Sequence, residues 1–432
     1  MARRGFTTRQ VHERAPGAAP TARATPIYLT AGFEFDEYES AAAHFGEGQG
    51  YAYTRIGNPT VESVEHTLAA LEGGSQALLL ASGQAATTVA ILALLEAGQH
   101  IVSSTHIYEG TRGLFRDNLT RLGIASSFVD DIDDPDAWEA AIRPETRALF
   151  AESISNAANR LIDIAAISEV AHRHGIPLIV DNTFATPYLV RPLEHGADVV
   201  VHSASKFLAG HGSVLGGAIV DSGRFDAARS GAIFPHLVAP GRVGASIADR
   251  VGGDARIAYA RESVAPRFGP TPSPLNAFLI GQGIETLSLR VERQSANALA
   301  VAQWLDGRPE IAAVDYAGLP AHRDHALAAQ QLPDGYGSVF SFTVRGGAAA
   351  ARRLVEALDV FTHMTHLGDV RSLVLHPAST SHATLSAEER AAVGVFDGTL
   401  RVSIGIEDAD DLIDDLARAL AVAASVDVAV VA

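Results

Sequence analysis

Lys206 lies at the centre of HSASKFLAGHG, residues 202–212, and it is the only lysine among 432 residues; the other 32 Lys/Arg positions are arginines. An arginine stays protonated in a protein, so it can neither form an imine nor act as a base, whereas a lysine can do both. A chain that meets every other cationic need with arginine marks this position as one where an amine is wanted. Ser82-Gly83-Gln84 follows an apolar run and opens a helical segment. Free N–H groups at such a helix start suit a phosphate, and the hydroxyls of Ser203 and Ser205 could join them. Asp181 ends the apolar run IPLIVD, where a carboxylate needs a cationic or hydrogen-bonding partner to stay charged. Tyr108 follows another such run and offers a ring face for stacking. In YAYTRIGNPT, residues 51–60, the phenol of Tyr53 and the guanidinium of Arg55 would suit an anion. Each piece alone also has a plain structural reading: a turn, a loop cap, a core tyrosine, an exposed arm.

Together, an imine-forming amine, a phosphate cradle and a buried carboxylate fit pyridoxal 5′-phosphate (PLP). The carboxylate would keep the pyridine nitrogen protonated and make the ring an electron sink.

These groups need a scaffold that brings strand ends together. QALLLAS (76–82), HIVSS (100–104), ASSFVD (125–130), RALFAES (147–153), PLIVDN (177–182), ADVVVHS (197–203) and GGAIVD (216–221) read as buried strands. Helical segments such as ATTVAILALLEAG and DIAAISEVAHRHG lie between them. That alternation predicts an α/β fold with a mainly parallel seven-stranded sheet and helices on both faces. Ligands in such sheets gather at the carboxyl ends of strands, where these polar residues fall. Residues 1–60 read as an extended arm and 61–262 as the large domain. Residues 263–432 form a smaller α+β domain with strands in GSVFSFTVRG (337–346), RSLVLHPAS (371–379) and LRVSIGIE (400–407). Between them, 223–270 reads as an irregular connection and 272–307 as a long helical region.

A net charge of −17 argues against nucleic acid or an anionic membrane as partner. The absence of cysteine rules out disulfides, thiol nucleophiles and thiolate metal sites. The start MARRGFTTRQVHERAPG has no apolar stretch of the kind a secretory signal carries. No run, including the tail VDVAVVA, reaches the ~18 apolar residues of a membrane span. A cytoplasmic setting is expected. The pairs His172/His174, His322/His325, His363/His366 and His376/His382 raise a metal-dependent hydrolase as a rival, but their spacings do not match a zinc protease and they scatter along the chain. No metal is expected.

YTRIGNPT, ASGQAA, ESISN, IVDNTFATPYL, DVVVHSASKFLAGHGS, GDVRSLVLHPASTSH and LRVSIGIED together resemble the Cys/Met-metabolism family of fold-type I PLP enzymes, from about residue 24 to 420. That family includes cystathionine γ-synthase, the cystathionine and methionine γ-lyases and O-acetylhomoserine sulfhydrylase. LGDVRSLVLHPAS, NAFLIGQGIETLSLR and VDYAGLP are most similar to the last group. The resemblance implies γ-replacement on O-acetyl-L-homoserine by sulfide or methanethiol in methionine biosynthesis, with γ-synthase or γ-lyase activity as alternatives. It implies that Lys206 holds PLP as an imine and moves protons, that Asp181 pairs with the pyridine nitrogen and that Tyr108 stacks on the ring. The backbone of Ser82, Gly83 and Gln84, with Ser203 and Ser205, would hold the phosphate, and Thr183 would lie near the ring. Arg401, Asn156 and Ser372 would take the substrate carboxylate. Tyr53 and Arg55 would reach a neighbouring subunit's phosphate in a homotetramer built of dimers that share active sites. The chain departs from the family pattern at Glu109, Ala157, Ser205, His366 and 239–254, positions that bear on acyl and acceptor specificity.

Overall fold

Strands that are largely apolar are covered on both faces, and all seven of the predicted runs form one sheet in the computed structural model, which describes residues 4–13, 22–47, 50–156, 158–241 and 244–424. Ala157, part of 239–254 and the apolar tail lie outside the described residues. The strands are β1 (Gln76–Leu80), β2 (His100–Ser104), β3 (Ala125–Val129), β4 (Thr146–Glu152), β5 (Leu178–Asp181), β6 (Val199–His202) and β7 (Gly217–Asp221). Their order is β1-β7-β6-β5-β4-β2-β3, parallel throughout except for β7, which runs antiparallel to both its neighbours. Successive side chains enter different cores. Leu78, Ile101, Phe150, Ile179 and Val199 face one layer, whereas Leu79, Val102, Leu149, Leu178 and Val200 face the other.

Helices α1 (Phe6–His12), α2 (Tyr38–Glu47), α3 (Pro59–Glu72) and α4 (Gly83–Leu92) come first in the chain. In α3, Asn58 accepts the N–H of Thr60 and Pro59 fills the first turn, where a missing N–H costs nothing. Its buried Val61, Val64, Leu68 and Leu71 face the core, so Leu68→Ala should cost about 2–5 kcal/mol. The segment expected as an extended arm contains α1 and α2. Helix α1 is tied down by Gln10, whose side chain donates to Ser288 Oγ at 2.9 Å and accepts the Ser288 N–H at 3.2 Å. Residues 223–270 carry a series of short helices, such as Ile247–Val251 and Ala255–Tyr259, instead of an irregular connection.

The 272–307 region forms two helices, Pro274–Ile284 and Leu287–Asp306. Ala277, Ile280 and Val291 pack into the large-sheet core, and Val301 and Leu305 into that of a second sheet, so the longer helix serves both. The second sheet is β8 (Ile311–Asp315), β9 (Val339–Val344), β10 (Thr362–His363), β11 (Leu373–Leu375) and β12 (Thr399–Ser403), in the order β10-β11-β12-β9-β8. Among the described residues no helix is long and apolar enough to cross a membrane, and no group of three metal-ligating side chains converges.

Candidate active site

A cavity of about 710 Å³ opens at the carboxyl edge of β4, β5 and β6. Ser82, Gly83, Gln84, Tyr108, Asn156, Asp181, Thr183, Ser203, Ser205, Lys206 and Arg401 all line it; Tyr53, Arg55 and Ser372 do not. Helix α4 starts at one wall. Ser82 Oγ accepts the Ala85 N–H at 3.2 Å, and the first N–H groups of the helix have no partner within it. A Cβ at Gly83 would fall 2.8 Å from Ser203 Cβ, so glycine lets the helix start sit directly against the loop that carries Lys206. Gln84 anchors that corner by donating to Gly110 O at 3.1 Å.

On the floor, a hydrogen-bond chain sets Asp181. Ser203 N–H donates to Thr183 Oγ1 at 2.8 Å, and Thr183 donates to Asp181 Oδ1 through its hydroxyl at 2.5 Å and its N–H at 3.0 Å. Burial raises the Asp181 carboxyl, while the Thr183 donors and His202 act in the opposite direction. Glu152 is paired with Asp181 in the β4–β5 register, so their side chains leave the sheet on the same face. Burial, and then the facing Asp181, push Glu152 well above the carboxylate range; it accepts the N–H groups of Tyr108 at 2.6 Å and Asn156 at 3.2 Å. Two buried acids with one set of side-chain donors divide the protonation states. Asp181, which the Thr183 hydroxyl and N–H donate to, is the one placed to carry charge toward a cationic partner, while burial and the facing Asp181 favour the protonated form of Glu152.

Lys206 Nζ lies 3.0 Å from His366 Nδ1, and burial, then Arg401, push the amine down to about 8. Arg401, on β12, is 4% exposed. It donates to Asn156 Oδ1 at 3.1 Å and His366 O at 3.3 Å, its Nε has no partner, and it pairs with no carboxylate among the described residues. Burial pushes it down to about 10. A buried guanidinium without a counter-ion is a receptor for an anion.

Two expectations change, at Ser372 and Ser205. Ser372, expected at the substrate carboxylate, is fully buried away from the cavity: its hydroxyl donates to Glu407 Oε2 at 3.0 Å and accepts the Gly405 N–H at 2.9 Å. Ser205 lines the cavity, but its hydroxyl bonds the backbone of Gly216 on both sides, at 3.1 and 3.0 Å, and so closes a turn beneath the cradle. Tyr53 and Arg55 stack on each other, 5.4 Å from guanidinium carbon to ring centroid, with Arg55 donating to Pro266 O. Tyr53 is half exposed, and neither residue enters this chain's own cavity. Glu152 was missed as a site residue although it carries the same signal as Asp181, an acid ending an apolar strand. His366 and Glu109, noted only as departures, both line the cavity.

The residues fit PLP on their own terms. The α4 N-terminus suits a phosphate, Asp181 a pyridinium and Lys206 an aldehyde carbon, while Arg401 remains for a carboxylate.

The sequence profile of the Cys/Met metabolism PLP-dependent enzymes matches residues 7–421. An O-acetyl-L-homoserine sulfhydrylase of Corynebacterium glutamicum is 45% identical over 95% of this chain and 96% of its own length. An O-succinylhomoserine sulfhydrylase of Pseudomonas aeruginosa is 41% identical over 91% of this chain and 90% of its own. The crystal structure of a putative O-acetylhomoserine (thiol)-lyase from Campylobacter jejuni, carrying a pyridoxyl-lysine phosphate, superposes with a TM-score of 0.93 at 34% identity, over 97% of this chain and 100% of that one.

Proposed function

Because this chain belongs to the family of Cys/Met metabolism PLP-dependent enzymes, we propose that it catalyses γ-replacement on O-acetyl-L-homoserine. Sulfide enters, acetate leaves and L-homocysteine forms; methanethiol in place of sulfide would give methionine. The observation that carries this reading is the buried, counter-ion-free Arg401 in the same cavity as Lys206 and the α4 N-terminus. Such a site takes an amino acid by its carboxylate while a phosphate is held at the opposite wall.

Gly83, Gln84 and Ser203 would hold the PLP phosphate, Asp181 the pyridine nitrogen and Lys206 the carbonyl carbon, with Tyr108 against the ring. When bound, PLP supplies the electron sink that makes hydrogens on the substrate's Cα and Cβ acidic. Arg401 and Asn156 bind the α-carboxylate and so orient the Cα hydrogen toward Lys206. Lys206, neutral once free, accepts that proton, and its position between the two walls lets it carry protons onward along the substrate chain. Glu152, as a neutral acid, keeps a second negative charge away from Asp181. In the balance, the Cγ–O bond of the ester breaks, a Cγ–S bond forms, and hydrogen sulfide supplies the proton that leaves with acetate.

Acetyl is favoured over succinyl as the leaving group. Lys206 and Arg401 already have roles, and Glu109, an acid, also lines the cavity. A succinyl group would bring a second carboxylate, and among the described residues no lysine or arginine besides Lys206 and Arg401 lines the cavity. The working unit is a homo-oligomer, a cytoplasmic tetramer of paired subunits, in which Tyr53 and Arg55 complete a neighbour's phosphate site. The exposed position of Tyr53, outside its own cavity, supports this. The division into arm (1–60), large domain (61–262) and small domain (263–432) is kept with it.

Proton NMR of PLP-loaded protein with O-acetylhomoserine, with and without sulfide, tests the reading. Homocysteine and acetate should appear together only with sulfide. Acetate with 2-oxobutyrate and ammonia in both tubes would instead mark an elimination enzyme. Lys206→Ala should make neither set of products while still binding PLP through the phosphate contacts; normal turnover by that variant would sink the scheme.

A further inference from the structure

The cavity is lined by an imidazole that the proposed chemistry has not used. His366 sits in the loop between β10 and β11, with Nδ1 3.0 Å from Lys206 Nζ and its Nε2 buried without a partner. The contact is held in place from several sides. Val370 N–H donates to Gly210 O at 2.9 Å and Arg371 to His211 O at 3.1 Å, which joins the histidine loop to the lysine loop. Gly368, at φ 72°, lies where a Cβ would fall 2.7 Å from Phe207 N, so the two loops touch backbone to backbone next to Lys206. The His366 carbonyl also accepts from Arg401 at 3.3 Å. One residue therefore touches both the amine and the carboxylate receptor.

We propose that His366 is a positioning residue for the proposed reaction: its neutral imidazole accepts a hydrogen bond from the free Lys206 amine and holds it between the cofactor wall and Arg401. This rests on the reading of Lys206 as the base. The imidazole is kept neutral by burial and by Lys206, Arg401 and Arg371, with Asp369 the opposing charge; burial and these cations push it down to about 4. Across the cavity the facing acids are Asp181, Glu152 and Glu109. A neutral acceptor at 3.0 Å favours the charged amine, so it partly offsets the fall in Lys206 basicity that burial causes, and it limits where Nζ can go. A histidine does this with a ring whose position is set by its own loop, whereas a flexible side chain would leave the amine free to swing.

The single lysine makes the test direct. Lysine labelled with ¹³C at Cε gives one resonance from the full-length protein, and its pH titration, recorded with PLP removed, reads this amine without any turnover. His366→Leu should move that titration down by about one pH unit, a tenfold change in the amine's proton affinity. In the PLP-loaded enzyme it should lower kcat about 10- to 100-fold with KM for the amino acid within about threefold. His366→Asn, which restores an acceptor, should bring both back toward wild type. An unshifted titration in folded, PLP-binding His366→Leu, or a kcat equal to wild type, overturns the proposal. So does His366→Asn if it is as slow as the leucine variant. If O-acetylhomoserine proves not to be the substrate, the titration still reports on the lysine–histidine contact, so failure of the substrate reading and failure of this one are separable.

Discussion

Replacing Arg401 with methionine should weaken catalysis and leave the fold as stable as before or more so. Burial without a counter-ion holds the guanidinium at about 10, which costs the folded chain about 3 kcal/mol. The folded-state value lies below the unfolded one, so the cost is present in full across the neutral range and is relieved only as pH rises past 10. Methionine removes it and fills similar space, while Asn156 Oδ1 and the carbonyls of His366 and Thr365 each lose a donor at about 1 kcal/mol. The net change in unfolding free energy of the cofactor-free protein is therefore about 0–3 kcal/mol in favour of the variant. Function goes the other way. A two-pronged, charge-assisted contact to a carboxylate contributes about 3–6 kcal/mol, so kcat/KM should fall about 10²- to 10⁴-fold. Homocysteine formation under substrate-limited conditions reads the first quantity and urea unfolding the second. A variant that keeps kcat/KM within about threefold refutes Arg401 as the carboxylate receptor. One destabilised by several kcal/mol refutes the view that its charge is a burden awaiting a ligand.

Lys206 works only as the neutral amine, and its value of about 8 implies that kcat drops about tenfold per pH unit below 8 and levels off above it; a flat profile from pH 6 to 9 would assign the proton transfer elsewhere. Glu109→Gln removes an acid from the cavity lining; one charge acting over roughly 8–16 Å with an effective dielectric near 20 is worth about 1–2 kcal/mol. The ratio of kcat/KM for O-succinyl- over O-acetyl-homoserine should then rise about 5- to 30-fold, and an unchanged ratio would remove Glu109 from acyl selection. In Gly83→Ala the new Cβ, 2.8 Å from Ser203 Cβ, must push α4 off the lysine loop. PLP affinity, read by absorbance titration, should weaken about 5- to 100-fold, as overpacking of 1–3 kcal/mol implies; unaltered affinity would place the phosphate somewhere other than the α4 start.

Most of the seven strands were legible because a strand buried on both faces reads as a short apolar run between turn residues; β3 (Ala-Ser-Ser-Phe-Val), at the sheet edge, is buried only at Val129. The strands that escaped notice lack that signature. In β8 the sequence Ile-Ala-Ala-Val-Asp is poor in β-formers and exposed at its centre, and β10 is two exposed residues held by pairing with β11. Helices α1 and α2 were missed for a related reason: short helices are held by what they pack against, as α1 is by Ser288, and not by their own pattern.

The amino-acid sequence by itself determined the chemistry of the site. A lone lysine, an acid at a strand end and a glycine opening a helix are readable one at a time, because each owes its character to its residue type and its immediate neighbours. Tertiary structure decided which groups meet. Glu152 is pushed up by burial and by lying across a strand pair from Asp181, and the hydroxyl of Ser372 bonds Glu407 instead of facing the cavity. His366 reached Lys206 from a loop 160 positions away, and Arg401 reached Asn156 from 245. Those distances are closed by packing of two sheets along one shared helix, a property of the whole chain that no local pattern encodes.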